Sequence, residues 1–146
     1  MGKLAQDVMT ANPACCTPET PIDQVARLMV QHDCGEIPVI DPAEQVIGVV
    51  TDRDIVCRVV AVGKNPMAYP ASSCMSELVV TVPTTAPISE VLSAMERHQV
   101  RRVPVVDEQG SCVGMISQAD LAWVGREQEV AELVREVSRD SGSASR

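Results

Sequence analysis

The chain has 146 residues, a formal net charge of −8 and a hydrophobic share of 45%. That suffices for one ordinary core and is too apolar for a disordered chain, while the acidity speaks against a duplex-DNA binder, whose affinity rests on neutralising phosphates. There is no Phe, one Tyr (Tyr69) and one Trp (Trp123), so unpaired bases find no ring platform.

The first seven residues lack the apolar run of a secretion signal. Gln6 breaks the myristoylation pattern that Gly2 suggests. No apolar stretch approaches the roughly 18 residues that cross a bilayer. A cytoplasmic, reducing setting is expected, with free thiols at Cys15, Cys16, Cys34, Cys57, Cys74 and Cys112. These form no C-x-x-C pair, and His32 and His98 stand at no zinc-finger spacing, so no metal site is expected. Cys16, Cys57 and Cys112 sit among apolar neighbours and read as core. The group Cys15, Cys16 and Cys34 is the candidate for a redox or metal role.

A short β-type stretch is predicted at 14–17. Thr20-Pro21-x-Asp23 then opens a helix, with Thr20 as N-cap and proline at the first helical position. Ile22, Val25, Ala26, Leu28 and Met29 share one face of it. Two valine-rich strands follow, Glu36–Ile40 and Val46–Thr51, joined by a turn at Asp41-Pro42. A helix is predicted over about 53–62, and residues 63–73, with two prolines, read as a linker. The same order then returns: a β-type stretch at 79–82, a helix whose face holds Ile88, Val91, Leu92 and Met95, strands Arg102–Val106 and Cys112–Ser117, and a helix from Ala119. Ala86 replaces Thr20 at the second cap. Residues 128–138 read as a mixed-charge helix and 141–146 as a frayed tail.

The return is a sequence repeat with an offset of 66 and no gaps. Met9 matches Met75, Pro21-Ile22 matches Pro87-Ile88, and Val25, Met29 and His32 match Val91, Met95 and His98. Pro38-Val39, Asp41, Gly48, Thr51 and Asp54 match Pro104-Val105, Asp107, Gly114, Ser117 and Asp120. The fold class is α/β (α+β), a tandem β-α-β-β-α repeat. Its parts are a first copy (4–62), the linker (63–73), a second copy (74–125), and a C-terminal helix and tail (126–146).

The strongest motif is Gly48-Val-Val-Thr51-Asp-Arg-Asp54, echoed by Gly114-Met-Ile-Ser117-Gln-Ala-Asp120. It ends a strand and opens a helix. One reading is a capping box, in which the acid reaches back to the N–H of the hydroxyl residue three places earlier. The other is ligand chemistry: orphan N–H groups at a helix start favour phosphate, and a carboxylate accepts from ribose hydroxyls.

With Val8-Met-Thr10, Thr20-Pro-Ile22, Ile37-Pro-Val-Ile-Asp41, Cys74-Met-Ser76 and Arg101-Arg-Val-Pro-Val-Val-Asp107 added, the chain resembles a pair of CBS (cystathionine-β-synthase) motifs over about residues 4–123, as in stand-alone bacterial CBS-pair proteins. The resemblance implies pseudo-two-fold symmetry and two clefts for adenosyl ligands: AMP, ADP, ATP, NAD or S-adenosylmethionine. By position, the first cleft takes Asp54 for ribose, Thr51 near phosphate and Val49 under the base. It adds Arg53, with Met75, Leu78, Val80, Val100, Arg101 and Arg102 from the other copy. The second, weaker cleft takes Met115, Ser117 and Asp120, with Met9, Asn12, Ala14, Cys34 and Gly35. Gly35-Glu36 stands where the second copy has Arg101-Arg102, so one strong phosphate site is expected, at Asp54, Arg101 and Arg102.

Three functions remain open: a regulatory module sensing an adenine nucleotide, a ligand-free structural or dimerisation module, and a cysteine redox sensor. No nucleophile–base pair suggests an enzyme, and no catalytic residue or required cofactor is expected. Outward apolar residues at Ile55, Val56, Val59, Val60, Leu121, Val124, Val130 and Leu133 predict a homodimer through the helices after the two motifs. A downstream protein partner is implied but unnamed; no nucleic-acid polymer and no membrane is expected.

Overall fold

The computed structural model describes residues 2–77, 80–127 and 133–135. Leu78, Val79 and Val130 lie outside these residues, as do the predicted 141–146 tail and most of the 128–138 helix. The elements are α1 (Ala5–Val8), β1 (Thr10–Ala11), α2 (Ile22–His32), β2 (Glu36–Ile40), β3 (Val46–Thr51), α3 (Asp52–Ile55), β4 (Ser76–Glu77), β5 (Val82–Pro83), α4 (Ile88–His98), β6 (Arg102–Val106) and β7 (Cys112–Ser117). A fifth helix, α5, runs over 118–127. Past α3 the helix widens to a π-type turn over Val56–Val60, where the Ala61 N–H donates to the Val56 carbonyl.

The fold is a mixed α/β tandem repeat, and the copies match in detail. In each, two strands pair antiparallel, from Glu36↔Thr51 to Ile40↔Val46 and from Arg102↔Ser117 to Val106↔Cys112, with a register shift at the same place. In each, an amphipathic helix covers the strands, burying Ile22, Val25 and Met29 in α2 and Val91, Ala94 and Met95 in α4. Both helices stop at a left-handed residue, Asp33 at φ 49° and Gln99 at φ 53°. Thr20 is not the N-cap of α2. Pro21 holds that place with no side-chain bond, and the Thr20 hydroxyl instead accepts from the Thr17 N–H at 3.0 Å, closing the turn before the helix.

The segment leading each copy crosses to the other. β1 pairs with β7, Thr10 opposite Met115, and β4 pairs with β3, Ser76 opposite Val49. One sheet runs β1-β7-β6-β5 and the other β2-β3-β4. The crossing carries core residues with it. Ala5, fully buried, joins the second copy's core of Val82, Val91, Val103, Val105 and Ile116. Its counterpart Ala71, also fully buried, joins the first copy's core of Ile22, Val25, Ile37, Val39 and Val50. The Ala5 N–H donates to the Ala86 carbonyl and the Ala71 N–H to the Thr20 carbonyl, both at 2.7 Å. The predicted linker thus ends inside the first copy's core.

Gly48 and Gly114 make room for the crossing strands. A Cβ on Gly48 would stand 2.8 Å from the Ser76 carbonyl oxygen, and one on Gly114 would stand 2.7 Å from Met9 Cγ. The β-type stretches predicted at 14–17 and 79–82 are corrected by this topology. Residues 14–17 form no strand; Cys16 makes a single parallel bridge to Val39. Its counterpart Val82 lies in β5, which runs parallel to β6.

Candidate functional site: two clefts at the junction of the repeat

The crossed topology leaves two clefts between the copies. The larger has a volume of about 500 Å³ and the smaller about 320 Å³. Val49, Thr51, Arg53, Val80, Val100, Arg101 and Arg102 line the larger. Asn12, Ala14, Cys34, Met115, Ser117 and Asp120 line the smaller.

Four predicted residues stand elsewhere. Met9 and Met75 lie over Gly114 and Gly48 and pack against the two cores, as the crossing strands require. Gly35 lies beneath Asp52 and Arg102; a Cβ there would stand 2.8 Å from Asp52 Oδ2 and 3.5 Å from Arg102 Nη1. Asp54 does not line the larger cleft. Leu78 is outside the described residues.

Asp54 is held by its own surroundings. Its Oδ2 accepts from the Thr51 N–H at 2.9 Å, and its N–H donates to Thr51 Oγ1 at 3.0 Å, so the capping box is built. Ser76, from the crossing strand, donates its hydroxyl to Oδ1 at 3.2 Å, and Arg58 Nε lies 3.9 Å from the same oxygen. Asp54 is 8% exposed. The second copy builds the same box, with Ser117 N–H to Asp120 Oδ2 at 2.9 Å and Asp120 N–H to Ser117 Oγ at 3.1 Å. There Thr10 and Val124 replace Ser76 and Arg58, and Asp120 lines the smaller cleft. Sequence reasoning missed both partners of Asp54. Arg58 was findable at i+4 on the same helix; Ser76 needed the crossing.

Carboxylates accompany the arginines. Glu36, Asp52 and Glu77 line the larger cleft beside Arg53, Arg101 and Arg102. Asp33, Glu36 and Asp120 line the smaller beside Arg102 and His32, the last residue of α2. Burial pushes the Glu36 carboxyl up to about 7; Asp54 and Asp52 push the same way and Arg102 opposes them.

Cys16 and Cys74 are buried in the first copy's core, and Cys34 and Cys57 are exposed. Burial pushes the Cys16 thiol up to about 12. Cys57 therefore is not the core residue its apolar neighbours predict: it falls on the outer face of the π-type turn. Cys15 lies beside Cys112 of the other copy, whose hydrogen bond draws the Cys15 thiol pKa down. Among the described residues no three His, Cys, Asp or Glu side chains converge to hold a metal ion.

The CBS domain family model matches residues 5–61 and 71–126. The chain belongs to the CBS domain family. It is 33% identical over 141 residues to Hypoxic response protein 1 of Mycobacterium tuberculosis, covering 97% of this chain and 98% of that one. It is 37% identical over 117 residues to the CBS domain-containing protein YhcV of Bacillus subtilis, covering 80% and 81%. Both relatives are thus matched over most of their own length, as stand-alone CBS pairs. Among solved structures, the fold is similar to Hypoxic Response Protein I with two coordinated zinc ions, with TM-score 0.74 and 36% identity over 82% of this chain and 97% of that one. It is also similar to the CBS domain pair of MJ0100 in complex with 5′-methylthioadenosine and S-adenosylmethionine (TM-score 0.77, 21% identity, 88% and 99% covered). CBSX2 in complex with AMP has the same fold (TM-score 0.74, 22% identity, 88% and 99% covered). Among the described residues of this CBS pair, no helix is long and apolar enough to cross a membrane.

Proposed function

We propose that this CBS pair is a non-catalytic, cytoplasmic regulatory module that takes an adenine nucleotide into its larger cleft. The observation that carries the reading is a cleft lined both by three guanidinium groups, Arg53, Arg101 and Arg102, and by the aliphatic side chains of Val49, Val80 and Val100. Guanidinium forks suit phosphate, and aliphatic walls hold an adenine by burial and dispersion where rings are lacking. Both clefts fall within the roughly 300–1,000 Å³ of small-molecule sites. The adenosyl ligands of the MJ0100 and CBSX2 structures point to the same class. The smaller cleft, with Asn12, Ala14, Cys34, Met115, Ser117 and Asp120, is the weaker site. Ligand binding between the copies shifts their packing and so the surface offered to a protein partner.

A thermal-shift panel of AMP, ADP, ATP, NAD and S-adenosylmethionine on ligand-free protein tests this. At least one is expected to raise the melting temperature in a saturable way. A flat response to all of them leaves the ligand-free structural module.

A homodimer through the helices after the two motifs is the second part of the proposal. Val59, Leu121 and Val124 are buried within the chain, but Val56 at 57%, Val60 at 62% and Trp123 at 62% stay exposed. Sedimentation at micromolar concentration is expected to give twice the chain mass; a strict monomer overturns it.

A further inference from the structure

Among the described charged residues, Glu36 and Arg102 alone line both clefts. They are repeat equivalents, 66 positions apart, at the starts of β2 and β6. The pseudo-two-fold that gives Thr51 to the larger cleft and Ser117 to the smaller therefore gives this pair to both. Arg102 Nη1 already reaches to within 3.5 Å of the Cβ position of Gly35, on the first copy's side.

The clefts differ in what they hold besides Arg102. The larger has Arg53 and Arg101, whereas in the smaller Arg102 is the one Lys or Arg among the described lining residues, set against Asp33, Glu36 and Asp120. A guanidinium is a planar fork and directs its donors to one side at a time. Once Arg102 is turned to a phosphate in the larger cleft, an anion in the smaller one meets Asp33, Glu36 and Asp120 with no other Lys or Arg among the described lining residues to offset them.

We propose that Arg102 is a phosphate ligand common to both clefts and that the CBS pair consequently holds one anionic nucleotide tightly, with a second excluded by charge. This rests on the nucleotide reading above and adds a rule for its stoichiometry. Glu36 enforces the rule where it is ionised, above about 7, because with Asp33 and Asp120 it keeps an anion out of the smaller cleft when Arg102 has left it. An uncharged nucleoside has no phosphate to bring to Arg102 and escapes the rule.

The test is a titration of the full chain carrying methyl-labelled Met and Val, with AMP and with adenosine. Val49 and Val80 report the larger cleft and Met115 the smaller. AMP is expected to move Val49 and Val80 first, with Met115 responding at least about tenfold more weakly. Arg102→Gln is expected to weaken AMP about tenfold at both reporters and to leave adenosine unchanged at both. Glu36→Gln, a second variant that keeps the side-chain size, is expected to narrow the gap between the reporters. Two AMP molecules bound with equal affinity, or an Arg102→Gln effect confined to Val49 and Val80, overturns the sharing while the nucleotide reading stands. Silence of all three reporters toward AMP, and toward ADP, ATP, NAD and S-adenosylmethionine added in its place, overturns both.

Discussion

Glu36 and Arg102 hold the same place in the two copies, and both face both clefts. A symmetric repeat thereby has an antisymmetric centre: one charge is the image of the other with its sign reversed. The half-buried carboxyl is the strained member, raised from an ordinary 4.5 to about 7 mainly by desolvation.

That shift makes stability fall as pH rises. Between about 4.5 and 7 the folded state holds a proton on Glu36 that the unfolded chain has released. The protonated carboxyl's contribution is full below about 4.5 and is lost as pH rises through 7. Urea unfolding at pH 5 and pH 8 is expected to show Glu36→Gln gaining about 1–2 kcal/mol on the wild type at the higher pH, allowing for partial solvent screening. An equal difference at both values removes Glu36 as the cause.

The two capping acids are expected to differ in cost. Asp120→Ala removes one cap, about 1 kcal/mol. Asp54→Ala also strips the Ser76 hydroxyl of its acceptor and Arg58 of its ion-pair partner, for about 2 kcal/mol or more. Denaturant unfolding of both variants checks the order, and equal losses would mean that Ser76 and Arg58 contribute nothing.

Gly48→Ala and Gly114→Ala should each destabilise by about 1–3 kcal/mol through overpacking. Their rescue separates them. Gly114→Ala meets the Met9 side chain, so adding Met9→Ala removes its Sδ and Cγ contacts and leaves only Met9 Cβ at 2.9 Å; Gly48→Ala meets the Ser76 backbone carbonyl first, at 2.8 Å, so Met75→Ala leaves its main clash in place. Double-mutant cycles read the difference as a coupling energy at the 9/114 pair that exceeds that at 75/48.

Thiol accessibility follows burial. Cys34 and Cys57 should react with an aromatic disulfide reagent in the folded protein, and Cys16 and Cys74 only after unfolding. Peptide mapping of the early adducts checks this; early label on Cys16 would contradict the packing of the first core.

The paired strands β2, β3, β6 and β7 were legible because valine-rich runs bounded by turns say strand by themselves. The crossing strands were not. Thr10–Ala11 and Ser76–Glu77 are two residues each and carry no pattern; their conformation comes from the strand they join. A trace of them was present in the repeated Met9/Met75 and Gly48/Gly114, since a glycine inside a strand marks a close backbone approach. The capping boxes were readable from spacing alone. That Asp54 turns inward while Asp120 lines a cleft was not, because the difference lies in Ser76 against Thr10 and Arg58 against Val124. Helix capping at Thr20 failed because a hydroxyl four residues into a turn-rich segment has a second acceptor role to fill, toward Thr17.

The reciprocal exchange of Ala5 and Ala71 has a consequence for assembly. Neither copy owns a complete core, so each is a half-molecule that matures only by trading its leading segment with a twin. On separate chains that trade is bimolecular and fails on dilution. Tethered through 63–73, it becomes unimolecular, at the millimolar effective concentration of a short connection. Cutting the chain within 63–66 converts the protein into a two-fragment system whose folding depends on concentration, and the two clefts then exist only where the fragments have found each other.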